Sequence, residues 1–416
     1  MEESLGDPPF MTACHPLQLK EMGLFPTGFG TRFWVLIAAT FLGFLGEGTV
    51  LPVLGPHVRH DLGGSDQTVG LAIGIFSFVS LAARFLSGPL ADRRGRKVSF
   101  LAGLLSCALA GSACLLPFGL PGIYLGRMLQ GFGEAFLYTG AAAWAVETAG
   151  VKRSGQALGY VSCGIWGGTA AGPLVGQWLG SFDRAAAMQI VASLIAFGLV
   201  MRVAEEYKPM PREGHRTWLS GRLIASGLAV GFVNVHYPVV AGFLILHLAR
   251  HGNSGPAAYT AYASVILLSR FFLGGLPDRI RPAITFYGGL GLMTIGLLLL
   301  APGPSPAVAV SAGAVLGLGM SFPWSSIAST VVRRASASDR GSALGVLTGF
   351  FDLFVGVSSL GAGAVAARFG YTMAFWMGAM SLGAAALAGW YVFAPEKVKE
   401  RAYAAAVVGA DAATEG

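Results

Sequence analysis

TVGLAIGIFSFVSLAARFLSGPLADRRGRK, residues Thr68–Lys97, is an apolar run (68–91) closed by Asp92 and then Arg93, Arg94, Arg96 and Lys97. About 20 apolar residues at 1.5 Å per residue cross a bilayer core of about 30 Å. Lipid offers no partner to an open backbone, so such a run is a helix. The basic cluster marks the end of that helix retained in the cytoplasm. Eleven further runs read the same way: 33–55, 98–117, 122–146, 155–180, 185–201, 220–247, 255–276, 283–301, 305–332, 341–366 and 371–394. The fold class is therefore all-α, a polytopic membrane protein of twelve transmembrane helices.

Composition agrees. Of 416 residues, 54% are hydrophobic and 12% charged, and mean hydropathy is +0.63. Soluble proteins carry about 25% charge. The balance excludes a soluble enzyme, a disordered chain and a nucleic-acid binder, despite a pI near 9.4. The 61 glycines show no three-residue period, and small residues at that density suit close helix packing in membranes. Loop parity explains the positive charge: 21 of the 28 Lys and Arg fall on one side of the predicted membrane, four on the other and three inside helices. Both termini are expected in the cytoplasm. The organisation read is a tail at 1–32, a six-helix bundle at 33–201, a cytoplasmic linker at 202–219, a second bundle at 220–394 and a tail at 395–416. Cys14, Cys107, Cys114 and Cys163 have no metal or disulfide spacing and read as small apolar fillers.

One offset, 186 residues, relates the two bundles. It maps Arg84 to Arg270, Gly88 to Gly274, Asp92 to Asp278 and Arg93 to Arg279. It also maps Pro52 to Pro238, Gly131 to Gly317, Gly133 to Gly319 and Gly155 to Gly341. A gapless repeat of six helices describes two pseudo-symmetric bundles with a substrate path between them.

The loop Gly88-Pro-Leu-Ala-Asp92-Arg93-Arg-Gly95-Arg96-Lys97 resembles the signature of the major facilitator superfamily, and Gly274-Gly-Leu-Pro-Asp278-Arg279 its degenerate second copy. On physical grounds Gly88 lets helix 2 approach a neighbour closely, and Asp92 can bond the free N–H groups at another helix N-terminus. The resemblance implies that the neighbour is helix 11, near Gly341, and that the contact holds the cytoplasmic side shut. Helix 4 carries Arg127-Met-Leu-Gln130-Gly131-Phe-Gly133-Glu134, similar to a second family pattern whose Arg is linked to proton transfer in antiporters. Arg127 and Glu134 lie seven apart, on one face, at depths of about 8 and 18 Å. Helix 5 carries Gly168-x-x-x-Gly172-Pro173-x-x-Gly176, which resembles the antiporter motif except that Gln177 replaces its last glycine. The physical reading is close backbone approach along one stripe with a bend at Pro173; mere packing remains open.

Glu47, His236 and Asp352 are further ionisable residues inside apolar runs, with Arg84 and Arg270 nearer the ends. A charge at the midplane costs about 2.5–3.5 kcal/mol on insertion scales, so such residues are candidate pathway groups. Helices 3, 5, 6, 9, 10 and 12 have none, which fits the arrangement the resemblance implies, with helices 3, 6, 9 and 12 facing lipid and helices 1, 4, 7 and 10 lining the cavity. His236 reads equally as a satisfied neutral histidine, and Trp144, Trp166 and Trp324 read as anchors or packing groups ahead of stacking partners for a ligand. No nucleotide-binding, hydrolase or metal motif appears, so neither cofactor nor metal is expected, and no enzymatic role. The resemblance implies proton-coupled efflux of a small organic molecule by a monomer of the cell inner membrane, closest to bacterial drug and metabolite exporters of the arabinose-efflux-permease-like kind. An uptake symporter, or a non-transporting receptor on the same scaffold, stays open.

Overall fold

A computed structural model describes residues 29–149, 153–205, 220–252, 255–273, 280–335 and 340–394. No strand occurs among them. The helices are α1 (Thr31–Pro56, continued by a π-turn His57–Asp61), α2 (Asp66–Arg94), α3 (Arg96–Leu115), α4 (Leu120–Ala149), α5 (Ser154–Leu179) and α6 (Phe182–Met201). Then follow α7 in two pieces (Gly221–Asn234, His236–Arg250), α8 (Gly255–Leu273), α9 (Pro282–Leu300), α10 in two pieces (Pro306–Met320, Pro323–Arg334), α11 (Arg340–Phe369) and α12 (Tyr371–Phe393). Nine of the spans are long and apolar enough to cross a membrane, counted over the described residues. Both breaks trace to proline, which lacks the N–H that closes a helical turn. Pro238 cannot bond the carbonyl of Asn234, and Pro323 cannot bond that of Gly319. Ser65 starts α2 with a reciprocal cap: its Oγ accepts from the Thr68 N–H, and its own N–H donates to Thr68 Oγ1.

The packing repeats with the sequence. α1 packs on α5 and α6, α2 on α4, and α3 on α4 and α6; α7 packs on α11 and α12, α8 on α10, and α9 on α10 and α12. Single contacts keep the 186-residue offset. A Cβ on Gly131 would strike the Phe76 carbonyl, and one on Gly317 the Tyr262 carbonyl. A Cβ on Gly133 would lie 2.9 Å from Gly103 O, and one on Gly319 2.7 Å from Gly289 O. Each pair of contacts is one contact copied, which makes the two bundles pseudo-symmetric in space.

α3, α6, α9 and α12 turn large apolar side chains outward, among them Leu105, Leu109, Leu194, Ile195, Ile295, Met380, Leu387 and Trp390. Water would not tolerate so continuous an apolar surface; lipid does. The two bundles meet mainly through α2 with α11 and α5 with α8, and through α1 with the second piece of α7. The close contacts lie away from the signature loop. Gly55 would strike the Gly242 carbonyl, Gly70 lies against Ser359 and Gly363, and Gly74 against Gly356. Tyr371 donates a 2.8 Å hydrogen bond to Asp66, which also pairs with Arg59 at 3.3 Å. At the signature-loop end, a Cβ on Gly88, Gly159 or Gly345 would have nothing within 4 Å.

Candidate functional site: an ionic cluster between the bundles

Between the bundles lies a cavity of about 80 Å3. Glu47 from α1, Phe76 from α2, Arg127, Gln130 and Glu134 from α4, Trp166 from α5, Tyr237 from α7 and Phe351 from α11 line it. A second cavity of about 50 Å3 shares Trp166, Thr169 and Tyr237 and adds Tyr259, Tyr262 and Met320. α3, α6, α9 and α12 line neither.

Arg127 is buried and held by its own bundle. Its Nε donates to Ala72 O at 3.0 Å, one Nη donates to Gln130 Oε1 at 2.5 Å, and its guanidinium lies 4.5 Å from the Phe76 ring centre. Gln130 Nε2 donates to the backbone carbonyl of Glu47 at 3.0 Å. The Glu47 carboxylate accepts from the Cys107 thiol at 3.0 Å. This corrects the reading of Cys107 as a filler: the thiol is the donor that a buried carboxylate needs.

Deeper toward the second bundle, Arg84 Nε donates to Asp352 Oδ2 at 2.7 Å, and Arg84 Nη2 stands 3.7 Å from Glu134 Oε1. Ser80 Oγ donates to Glu134 Oε2 at 2.5 Å and stands 3.3 Å from Asp352 Oδ2. Asp352 is fully buried. α2 thus carries the cation and the hydroxyl, α4 one acid, and α11 of the other bundle the second acid. The helix repeat explains the placement: Ser80 and Arg84 are four residues apart, one turn along the same face of α2. That spacing was the available signal for Ser80, which sequence reasoning missed.

His236 is buried at the break in α7, outside both linings. Its Nδ1 is 2.6 Å from Val233 O and its Nε2 3.5 Å from Tyr262 Oη. Trp166 and Trp324 lie 5.8 Å apart, across the bundle interface. Trp144 is a core residue beside Phe100.

The signature loop is fastened within its own bundle. Glu205 Oε1 accepts from the Arg96 and Lys97 N–H groups at 2.6 and 3.2 Å, an anion at the positive end of α3. Lys97 Nζ donates to Met201 O and Val203 O, and Arg96 pairs with Glu147 at 3.5 Å. Gly95 has φ 104°, a conformation that suits glycine. Arg93 is exposed. A Cβ on Gly88 would meet nothing within 4 Å, so helix 2 makes no close approach to a neighbour at that glycine in this structure. The side chain of Asp92, and Asp278 and Arg279 altogether, lie outside the described residues.

The glycines of α5 lie against the α1 backbone. Gly168 meets Phe41 and Leu45, Gly172 meets Gly48, and Gly176 meets Thr49. Pro173 sits inside the unbroken α5, its Cδ 3.2 Å from where a Gly48 Cβ would stand.

Comparisons with known proteins point one way. The family model described as "Major Facilitator Superfamily" matches residues 36–338 and 223–413. An uncharacterized MFS-type transporter of Salmonella typhimurium is 30% identical, over 82% of this chain and 91% of its own length. An uncharacterized MFS-type transporter of Burkholderia mallei is 27% identical, over 84% and 89%. The crystal structure of the nucleoside transporter NupG matches with a TM-score of 0.71, over 88% of this chain and all of its own, at 13% identity, a likeness of fold alone. Six helices repeated as six, an ionic cluster across their interface and the family match over nearly the whole chain agree: this multi-pass membrane protein belongs to the Major Facilitator Superfamily of transporters.

Proposed function

We propose that the protein exports a small organic molecule in exchange for protons, by alternating access across the cell inner membrane, with both termini cytoplasmic and as a monomer. The bundles 33–201 and 220–394 are the two bodies that rock against each other, joined by the cytoplasmic linker 202–219. The observation that carries this reading is the buried cluster Arg84–Asp352–Glu134, which spans both bundles beside the cavity. A membrane interior retains such charges at a cost of several kcal/mol, and they mark ion and proton paths. Glu134 is the proton carrier, because it borders the cavity and contacts the cluster. Glu47, held by Cys107, is the second acid on the path. Gly88, Asp92, Arg93, Gly95, Arg96, Asp278 and Arg279 form the cytoplasmic gate. Gly168, Gly172, Pro173 and Gly176 give the α1–α5 pair the close fit of the exporter branch.

The test starts with a metabolite and drug panel on cells that overproduce or lack the protein. It continues with the best hit, radiolabelled, in proteoliposomes. Wild type should accumulate it when a pH gradient is imposed. Glu134→Gln should still exchange label by counterflow but lose gradient-driven accumulation. Full pH-driven transport by Glu134→Gln removes Glu134 as carrier, and absence of counterflow in wild type removes transport itself.

A further inference from the structure

We infer that the coupling proton belongs to a pair of acids, Glu134 and Asp352, which share it through the Ser80 hydroxyl. This rests on the proton-coupled reading above and adds Asp352 as the acid that shares the proton with Glu134, and the relay between them. Ser80 has a single hydroxyl hydrogen and two carboxylate neighbours, Glu134 Oε2 at 2.5 Å and Asp352 Oδ2 at 3.3 Å. Asp352 is fully buried, and its Oδ1 has no hydrogen-bond partner among the described residues. Arg84 binds Asp352 Oδ2 and stands 3.7 Å from Glu134. With both acids ionised, the cluster has two negative charges and one positive. One added proton makes it neutral, the state least costly in a membrane core. The cluster therefore stores one proton.

The transfer balances without any other reactant. The O–H bond of protonated Glu134 breaks toward Ser80 Oγ as the Ser80 O–H bond breaks toward Asp352 Oδ2. Glu134 becomes a carboxylate, Asp352 an acid, and Ser80 is unchanged. Arg84, anchored on α2 between them, turns toward whichever acid is left ionised. Glu47 on α1, Cys107 on α3, Arg127 and Tyr138 on α4 and Tyr237 on α7 lie within electrostatic reach of Glu134 and set the field in which the proton chooses. Ser80, Arg84 and Glu134 move with the first bundle and Asp352 with the second. Rocking the bundles stretches the Ser80–Asp352 gap, so the proton is shared in one conformation and confined to one acid in the other.

The experiment needs no substrate. Infrared difference spectra between acid and alkaline pH are recorded on the full chain in lipid, for wild type, Glu134→Gln, Asp352→Asn, Ser80→Ala and Ser80→Thr. The expected wild-type result is a carboxylic C=O band that appears on acidification and is altered in both Glu134→Gln and Asp352→Asn. Removing either acid should move the titration midpoint of the other by about a pH unit or more, as coupled sites do. Ser80→Ala should shift the band, and Ser80→Thr, which keeps the hydroxyl, should restore it. Midpoints that ignore the loss of the other acid overturn the inference, as does a Ser80→Ala spectrum equal to wild type or the absence of a titrating band. A shared proton in a protein that shows no pH-driven transport would leave the inference standing and defeat the transport reading instead.

Discussion

Glu47 shows how one side chain decides whether a buried charge is tolerable. Its carboxylate accepts from Cys107, and Gln130 fastens its backbone. Cys107→Ala leaves an acceptor without its donor, which costs about 1–3 kcal/mol. Cys107→Ser keeps a hydroxyl donor at the same place. In thermal melts in detergent, the Ala variant should unfold at a clearly lower temperature than the Ser variant; equal melting would mean that the thiol is only a filler after all. The acids were legible in the sequence because charge inside an apolar run stands out against its surroundings. Their partners were not. A cysteine, a serine or a glutamine fits a membrane helix without comment, and which carboxylate it faces depends on how α1, α2, α3 and α4 are rotated. Glu205 was hidden for the opposite reason: an acid in a polar stretch gives no sign that it caps α3.

At the level of helices, glycine records where two backbones meet, and its neighbours differ sharply along one helix. Gly131 on α4 and Gly317 on α10 each press on a carbonyl of the adjacent helix, at equivalent places in the two bundles. Gly88 on α2 has open space. Alanine at Gly131 or Gly317 forces the helices apart, an overpacking of about 1–3 kcal/mol. Alanine at Gly88 relieves the entropic cost of helical glycine, a gain of about 0.4–1 kcal/mol. Thermal unfolding should thus fall for Gly131→Ala and Gly317→Ala and hold or rise for Gly88→Ala. A loss of stability at Gly88 equal to that at Gly131 would show that α2 packs closely there in the dominant state. The repeat of sequence foretold the repeat of these contacts, since one offset places the same residues on the same helix faces. It did not foretell the exchange of large for small between α5 and α11. α5 presents Gly164 and Gly168 to α1, whereas α11 presents Phe350 and Phe354 to Gly227 and Gly231 of α7. Either arrangement fills the same space, so composition alone leaves the choice open.

For the whole molecule, the bundles are clamped at the end away from the signature loop. The clamp joins four helices: Arg59 and Asp66 from the first bundle, Tyr371 at the start of α12, and Arg250 at the end of α7, whose guanidinium lies 4.0 Å from the Tyr371 ring centre. Opening this end must break the Tyr371–Asp66 bond. A hydrogen bond to a charged group contributes about 1.5–3 kcal/mol, and two conformers of one protein lie within a few kcal/mol of each other. Tyr371→Phe removes the hydroxyl and keeps the ring on Arg250. It should move the population toward the state open at this end by about tenfold for each 1.4 kcal/mol lost. Gln67 and Ala367 are exposed residues beside the clamp, one on each bundle, and suit spin labels. Double electron–electron resonance between them should show a single short distance in the parent and added longer distances in Tyr371→Phe. An unchanged distribution would mean that the clamp is held by backbone packing at Gly70, Gly74 and Gly363, and that the Asp66–Tyr371 bond forms only as a consequence of it.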